Sequence, residues 1–455
     1  MTFLPPIAGR RAAAVAAFTM VGALAAACDR STDVVIGEDF RTVLDPLPRP
    51  TTALDVLFVV DTSQSMAAEQ AALVAAAGER LFAQLTADLG APPDLQVAVV
   101  STDVGVGQPA IPGCPAIGWD GRFRVGAAGV TCPIQGSYLV DRSDGAGGRS
   151  TNYQGTLVDA FSCMATLGTT GCGFEQPLEA MRRGLDGRYA EHGGFLRPDA
   201  LLLIVFVTDE DDCSAFDTAV YGDPGAGPTS PFGVLSSFRC FEFGVECDPD
   251  DARVHGVKRA CVPRAASRYI TAPGEYADFV RALKPDPSMV MLAGMFGPLG
   301  PVVVGPDPDR PEAPALEPTC SSPETGVAAT PPIRLAALAG EFPSRFVFES
   351  LCSAAMSERL YRVTRSTSGV MSQRPCLFGD LGADVTTDRC RAYDVIGSSR
   401  TGVDRCTGAA AANACFEIAP SAQCDYTPSG LAAGYRGGTL AAGHRLVVEC
   451  LARVE

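Results

Sequence analysis

The chain is poor in several things that chemistry often needs. Its 36 basic residues include only two lysines, Lys258 and Lys284, and it has just three histidines, His192, His255 and His444. No two of its cysteines stand in Cys-x-x-Cys spacing. Structural zinc is held by Cys and His at short spacings, so the sequence has little to offer that metal. Three scattered histidines also leave few general bases for a Ser-His-Asp arrangement. There is no His-Glu-x-x-His, no Gly-x-Ser-x-Gly elbow, no phosphate loop ending in Gly-Lys-Ser/Thr, and no Gly-x-Gly-x-x-Gly opening a helix. The expectation is a binding protein rather than an enzyme.

Positive charge is also short. The 52 acidic residues outnumber the basic ones and leave a net charge of -16. Such a surface repels nucleic acid and anionic headgroups and attracts cations. What is present in quantity is apolar material, 47% of 455 residues, enough for a sizeable core in one large or two or three modest domains. There are 17 cysteines. A reducing cytosol would not hold so many as disulfides, so an oxidising compartment is expected.

The N-terminal stretch reads as a targeting segment. Arg10 and Arg11 precede an apolar run, Ala12 to Ala27, too short for an ordinary transmembrane helix. Leu24-Ala25-Ala26-Ala27-Cys28 resembles a lipobox, with Ala25 where that pattern usually has Leu. The resemblance makes 1–27 a lipoprotein signal peptide and Cys28 the lipidated first residue of the mature chain. The remaining sixteen cysteines suffice for eight bridges. Residues 28–51 are polar and Pro-rich near their end, and read as a tether.

Beyond residue 52 apolar strand-like runs alternate with helical patterns. Leu54–Val60, Leu95–Ser101, Ala200–Val207, Met289–Met295 and Phe346–Phe348 read as strands. Ser65–Leu89, Tyr153–Ala165, Phe174–Leu185, Tyr276–Leu283, Ile333–Gly340 and Ala354–Val363 read as helices. That alternation predicts an α/β fold, a doubly wound and mostly parallel sheet over 52–371. Gly/Pro-rich insertions interrupt it at about 105–150, 214–272 and 297–330. Residues 372–455 crowd six cysteines and read as a small Cys-rich, β-rich unit with a terminal strand near Leu446–Glu449. By proximity the expected pairs are Cys114–Cys132, Cys163–Cys172, Cys320–Cys352, Cys376–Cys390, Cys406–Cys415 and Cys424–Cys450. Cys172–Cys213 is the alternative to Cys163–Cys172. Cys213, Cys240, Cys247 and Cys261 remain unordered.

The sharpest motif is Asp61-Thr62-Ser63-Gln64-Ser65, directly after the run 54–60. Open α/β sheets bind ligands beyond the carboxyl ends of their strands. One carboxylate and two hydroxyls on alternate residues make a hard oxygen donor set, suited to Mg²⁺, Ca²⁺ or Mn²⁺. Taken singly, Ser63 and Ser65 fit a helix cap, Thr169 a turn and Asp209 a capping carboxylate. Together they fall at one sheet edge. Asp-x-Ser-x-Ser after an apolar strand resembles the metal-ion-dependent adhesion site of von Willebrand factor A domains. Gly168-Thr169-Thr170-Gly171 and Thr208-Asp209 match that family's second and third metal loops.

The resemblance implies a von Willebrand factor A domain whose divalent cation is held by Asp61, Ser63, Ser65 and Thr169, with Asp209 acting through water. Thr170 is the alternate to Thr169, and Asp211 and Asp212 are possible ligands of a second cation. It implies a protein ligand presenting an Asp or Glu carboxylate to the metal, and an envelope location, periplasmic or cell-surface, with the lipid in a membrane. The competing expectation is a scaffold subunit of an envelope or secretion assembly in which the metal is only structural. Nucleic acid is not an expected partner.

Overall fold

A computed structural model of the protein describes residues 41–44, 50–107, 111–322, 325–342, 345–352, 355–372, 376–377, 390–407, 414–421, 424–425, 427, 429–436 and 444–450. The expected signal peptide, Cys28 and most of the tether lie outside them.

In chain order the first half contains β1 (Arg41–Leu44), β2 (Ala53–Val60), α1 (Ala67–Ala77), α2 (Gln84–Leu89), β3 (Asp94–Ser101), β4 (Leu139–Ser143), β5 (Arg149–Thr151), α3 (Leu157–Ala165), α4 (Pro177–Leu185) and β6 (Leu201–Val207). There follow α5 (Phe238–Gly244), β7 (Val245–Asp248), β8 (Gly256–Pro263), α6 (Pro273–Ala282), β9 (Val290–Phe296), β10 (Val302–Pro306), β11 (Pro314–Leu316), β12 (Cys320–Ser321), β13 (Ala328–Ala329), α7 (Ile333–Gly340), β14 (Phe346–Ser350) and α8 (Met356–Met371). The C-terminal part holds β15 (Cys390–Ile396), β16 (Ser399–Val403), β17 (Cys415–Pro420), β18 (Leu431–Arg436) and β19 (Arg445–Cys450).

The main sheet has seven strands in the order β14-β9-β6-β2-β3-β4-β5. The first five of these are mutually parallel, and β4 and β5 add on antiparallel. Both faces are covered, which is why the strands read as continuous apolar runs rather than alternating ones. Leu54, Val56, Phe58 and Val60 of β2 enter one core with α1, α3 and α8. Leu57 and Val59 enter the other, with α4, α6 and α7. The lone acid in that run, Asp55, is fully buried and paired with Arg197 at 2.7 Å and Lys284 at 3.2 Å. After β2 the chain moves to β3 on one side, then returns to β6 on the other. The carboxyl ends of β2 and β6 therefore flank the point where strand order reverses, the usual place for a ligand crevice.

Several expectations change. The first insertion, about 105–150, is not only loop, because β4 and β5 lengthen the main sheet. The second and third insertions, about 214–272 and 297–330, are not separate: β8 pairs with β10, giving one four-stranded sheet β11-β10-β8-β7. Such pairing is between distant segments and leaves no local pattern to read. Helix α8 runs to Met371, beyond the expected Val363, although it carries Ser366-Thr367-Ser368-Gly369. Its hydroxyls are satisfied inside the fold: Thr367 Oγ1 donates to Val363 O at 2.7 Å and Ser368 Oγ to Asp88 Oδ2 at 2.6 Å. Within the expected tether, Arg41–Leu44 is a strand.

Cys320–Cys352 and Cys406–Cys415 pair as expected, and the unordered four resolve as Cys213–Cys240 and Cys247–Cys261. The remaining proximity pairs are corrected to Cys114–Cys172, Cys132–Cys163, Cys376–Cys424 and Cys390–Cys450. Nearness in sequence misled because folding back of β4 and β5 brings the first insertion against α3 and the loop before α4. The C-terminal part is β-rich: β1-β19-β15-β16 form one sheet and β17-β18 a hairpin around their own small core. No helix among the described residues is long and apolar enough to cross a membrane.

Candidate functional site

Asp61 is the first residue past β2, and its N–H still donates to Val207 O of β6 at 3.0 Å. The fully buried carboxylate is oriented from two sides. Oδ1 accepts from the Ser63 N–H at 2.7 Å, and Oδ2 from Thr208 Oγ1 at 2.7 Å. Thr208, matched in the sequence only as the neighbour of Asp209, is thus a positioning residue for Asp61. Ser63 precedes and Ser65 lies within a single turn of 3-10 helix (Gln64–Met66) leading into α1, and their hydroxyls lie 3.0 Å apart. Ser63 is half-buried and Ser65 exposed, so this side of the cluster opens to solvent.

Asp209 completes the strand-end pair. It is 3% exposed, and its Oδ1 has no hydrogen-bond partner. Burial, then the nearby charges of Asp61 and Glu210, pushes its carboxyl up to about 8, with the Ser65 side chain partly offsetting them. Burial also raises Asp61, against the Ser63 and Thr208 donors. Two buried carboxylates beside each other are costly unless a cation or a proton lies between them.

The glycine-rich loop is clamped to the same edge. Gln70 Nε2 donates to both Asp61 O at 2.8 Å and Gly168 O at 3.0 Å, and the Gly171 N–H donates to Thr62 O at 2.9 Å. A Cβ at Gly171 would stand 2.2 Å from Thr62 Oγ1, so only glycine permits this approach. The backbone contact therefore brings Gly168–Gly171 to Asp61 and Thr62. Thr169 is half-buried and Thr170 exposed, and neither side chain hydrogen-bonds to Asp61, Ser63, Ser65 or Asp209.

Glu175, absent from the expected set, shares the field of Asp61 and Asp209, as does Glu210. Glu175 is 1% exposed with an unpartnered Oε1. Burial, then Glu210, Asp61 and Asp209, holds its carboxyl well above the usual range. The signal for it was a single acid in the apolar stretch Cys-Gly-Phe-Glu-Gln-Pro-Leu, two residues before α4 opens at Pro177.

Asp211 and Asp212 face elsewhere. Asp211 accepts from the N–H groups of Arg334 and Leu335 at 2.9 and 3.1 Å, capping the first turn of α7. Asp212 pairs with the Arg334 guanidinium at 2.9 Å and accepts from the Leu178 N–H at 3.0 Å. Their oxygens are occupied by structural partners. His192 stacks on Phe123 and accepts from its N–H at 3.0 Å, a packing role.

Among the described residues no three His, Cys, Asp or Glu side chains converge as a metal cluster. A cation at this edge would therefore need hydroxyl donors as well as carboxylates. Asp61, Ser63, Ser65 and Asp209 supply that mixed oxygen set, and the unpartnered Asp209 oxygen fits it.

No protein-family model matches the chain, and no curated protein matches its sequence. Among solved structures it is similar to the pilus adhesin SpaC from Lactobacillus rhamnosus GG, at 10% identity and a TM-score of 0.32, over 90% of this chain and 42% of that one. It is also similar to the pilus adhesin RrgA from Streptococcus pneumoniae, at 10% identity and a TM-score of 0.28, over 90% of this chain and 57% of that one. The chain thus spans about half the length of these structures.

Proposed function

We propose that the protein is an envelope lipoprotein, anchored through Cys28, whose α/β domain is of the von Willebrand factor A type and binds a protein ligand through a divalent cation. Asp61, Ser63 and Ser65 hold the ion, Mg²⁺, Ca²⁺ or Mn²⁺, with Asp209 behind them. Thr169 is the further ligand that the family resemblance implies. A partly coordinated hard cation supplies affinity for one more anionic oxygen, here an Asp or Glu carboxylate of the partner. The chain's own groups orient that encounter: Thr208 fixes Asp61, the Gly168–Gly171 loop braces the strand end, and the exposed Ser65 side leaves an approach. No nucleophile and base pair is part of this reading, so the protein binds rather than catalyses.

One observation carries the proposal. Two buried carboxylates, Asp61 and the partly unpaired Asp209, sit beside two hydroxyls where the sheet order reverses. The test is capture of envelope proteins by the full chain with and without chelator, using wild type and Asp61→Ala. Binding that needs the cation and Asp61, with an unchanged melting curve, supports adhesion. Chelator-insensitive binding would sink it, and collapse of the fold in Asp61→Ala favours a structural ion in a scaffold.

A further inference from the structure

Behind the edge lies a second space that the adhesive reading does not use. It is a partly open cavity of about 140 Å³, lined by Glu175, Glu210, Asp307, and Ser236 and Ser237 just before α5. Among the described residues no Lys, Arg or His lines it. Most of its acids are nonetheless satisfied. Asp211 caps α7, Asp212 is paired with Arg334, and Asp307 is paired with Arg310 at 3.0 Å. Glu175 and Glu210 are left. Glu175 is almost wholly buried and its Oε1 has no partner. Glu210 faces the same cavity, with Glu175 and the Ser237 side chain in hydrogen-bonding reach. Two carboxyl groups facing each other across such a cavity need either a shared proton or a cation between them.

We propose that this cavity is a second divalent-cation site, with the ion held between the Glu175 and Glu210 carboxylates and the Ser237 hydroxyl. Water completes the shell, since the volume accommodates an ion with a few waters at about 30 Å³ each. Two carboxylates, one hydroxyl and several waters in a loosely shaped space suit Ca²⁺, which tolerates irregular shells of about 6–8 oxygens. The site is built by the insertion. Cys213–Cys240 ties α5, and with it Ser237, to the end of the segment carrying Glu210. The ion's work is to lock the insertion onto the sheet edge.

Equilibrium dialysis of the chelator-stripped full chain against Ca²⁺ alone tests this, with wild type, Asp61→Ala, Glu210→Gln and Ser237→Ala compared. The expected counts are two ions per chain in wild type and one each in Asp61→Ala and Glu210→Gln. Ser237→Ala should keep both, one of them weakened on the order of tenfold. One ion per chain in wild type, lost in Glu210→Gln and kept in Asp61→Ala, still supports the cavity and removes Ca²⁺ from the edge. A wild-type count that Glu210→Gln leaves unchanged overturns the proposal, as does loss of all binding in Asp61→Ala; the carboxyl pair then shares a proton. Should Glu210→Gln fail to fold, unaltered affinities in Ser237→Ala overturn it.

Discussion

Glu349 shows what one buried carboxylate does to the pH response of the whole chain. It sits in β14, 6% exposed, with Arg362 3.6 Å away. Burial raises its carboxyl to about 7, and Arg362 only partly opposes that. The folded state therefore holds a proton that the unfolded chain gives up near 4.5. Where the native state binds more protons, stability falls as pH rises. The contribution is whole below the unfolded value and lost as pH climbs through about 7. Glu349→Gln should remove that loss. Its melting temperature at pH 8 should exceed that of wild type, by the equivalent of on the order of 2 kcal/mol, while at pH 4 the two should nearly coincide. Equal melting curves at pH 8 would refute the assignment.

At the scale of the element, Asp211 caps helix α7. Its carboxylate takes two of the helix's leading N–H groups, which have no partner within the helix. Asp211→Ala should lower stability by about 1–2 kcal/mol in denaturant melts yet leave the number of bound cations unchanged. A drop in that number would return Asp211 to the metal. The parallel strands were legible because burial on both faces leaves apolar runs such as 54–60 and 200–207. Asp61 and Asp209 were legible because a motif follows each run. Glu175 was not, since a lone acid ahead of a helix carries no periodicity, and its meaning comes from Asp61 and Asp209 across the strand ends. Thr208 was seen only as the neighbour of Asp209, because orienting Asp61 is a contact 147 residues away in sequence. The sheet β11-β10-β8-β7 was illegible for the same reason, being assembled from two insertions.

Across the whole molecule, covalent links do what short loops cannot. Cys132–Cys163 pins the first insertion to α3, and Cys114–Cys172 pins it to the segment between α3 and α4 that runs beside the site. Eight such bridges belong in an oxidising compartment. Replacing both Cys114 and Cys172 by Ala should cost about 2–4 kcal/mol and open the stretch 105–135 to limited proteolysis under non-reducing conditions. Cleavage no faster than in wild type would show the insertion to be held by packing alone.

The earliest described strand, β1, lies antiparallel against the last, β19, and β19 is itself bolted to β15 by Cys390–Cys450. If the chain is tugged from its N-terminal side while the sheet edge grips something, the four-residue ladder of β1 is the first part to take the strain. Peeling it away would pay out slack before β2 felt any pull. The place where the two ends of the fold meet would then serve as a mechanical fuse ahead of the main sheet.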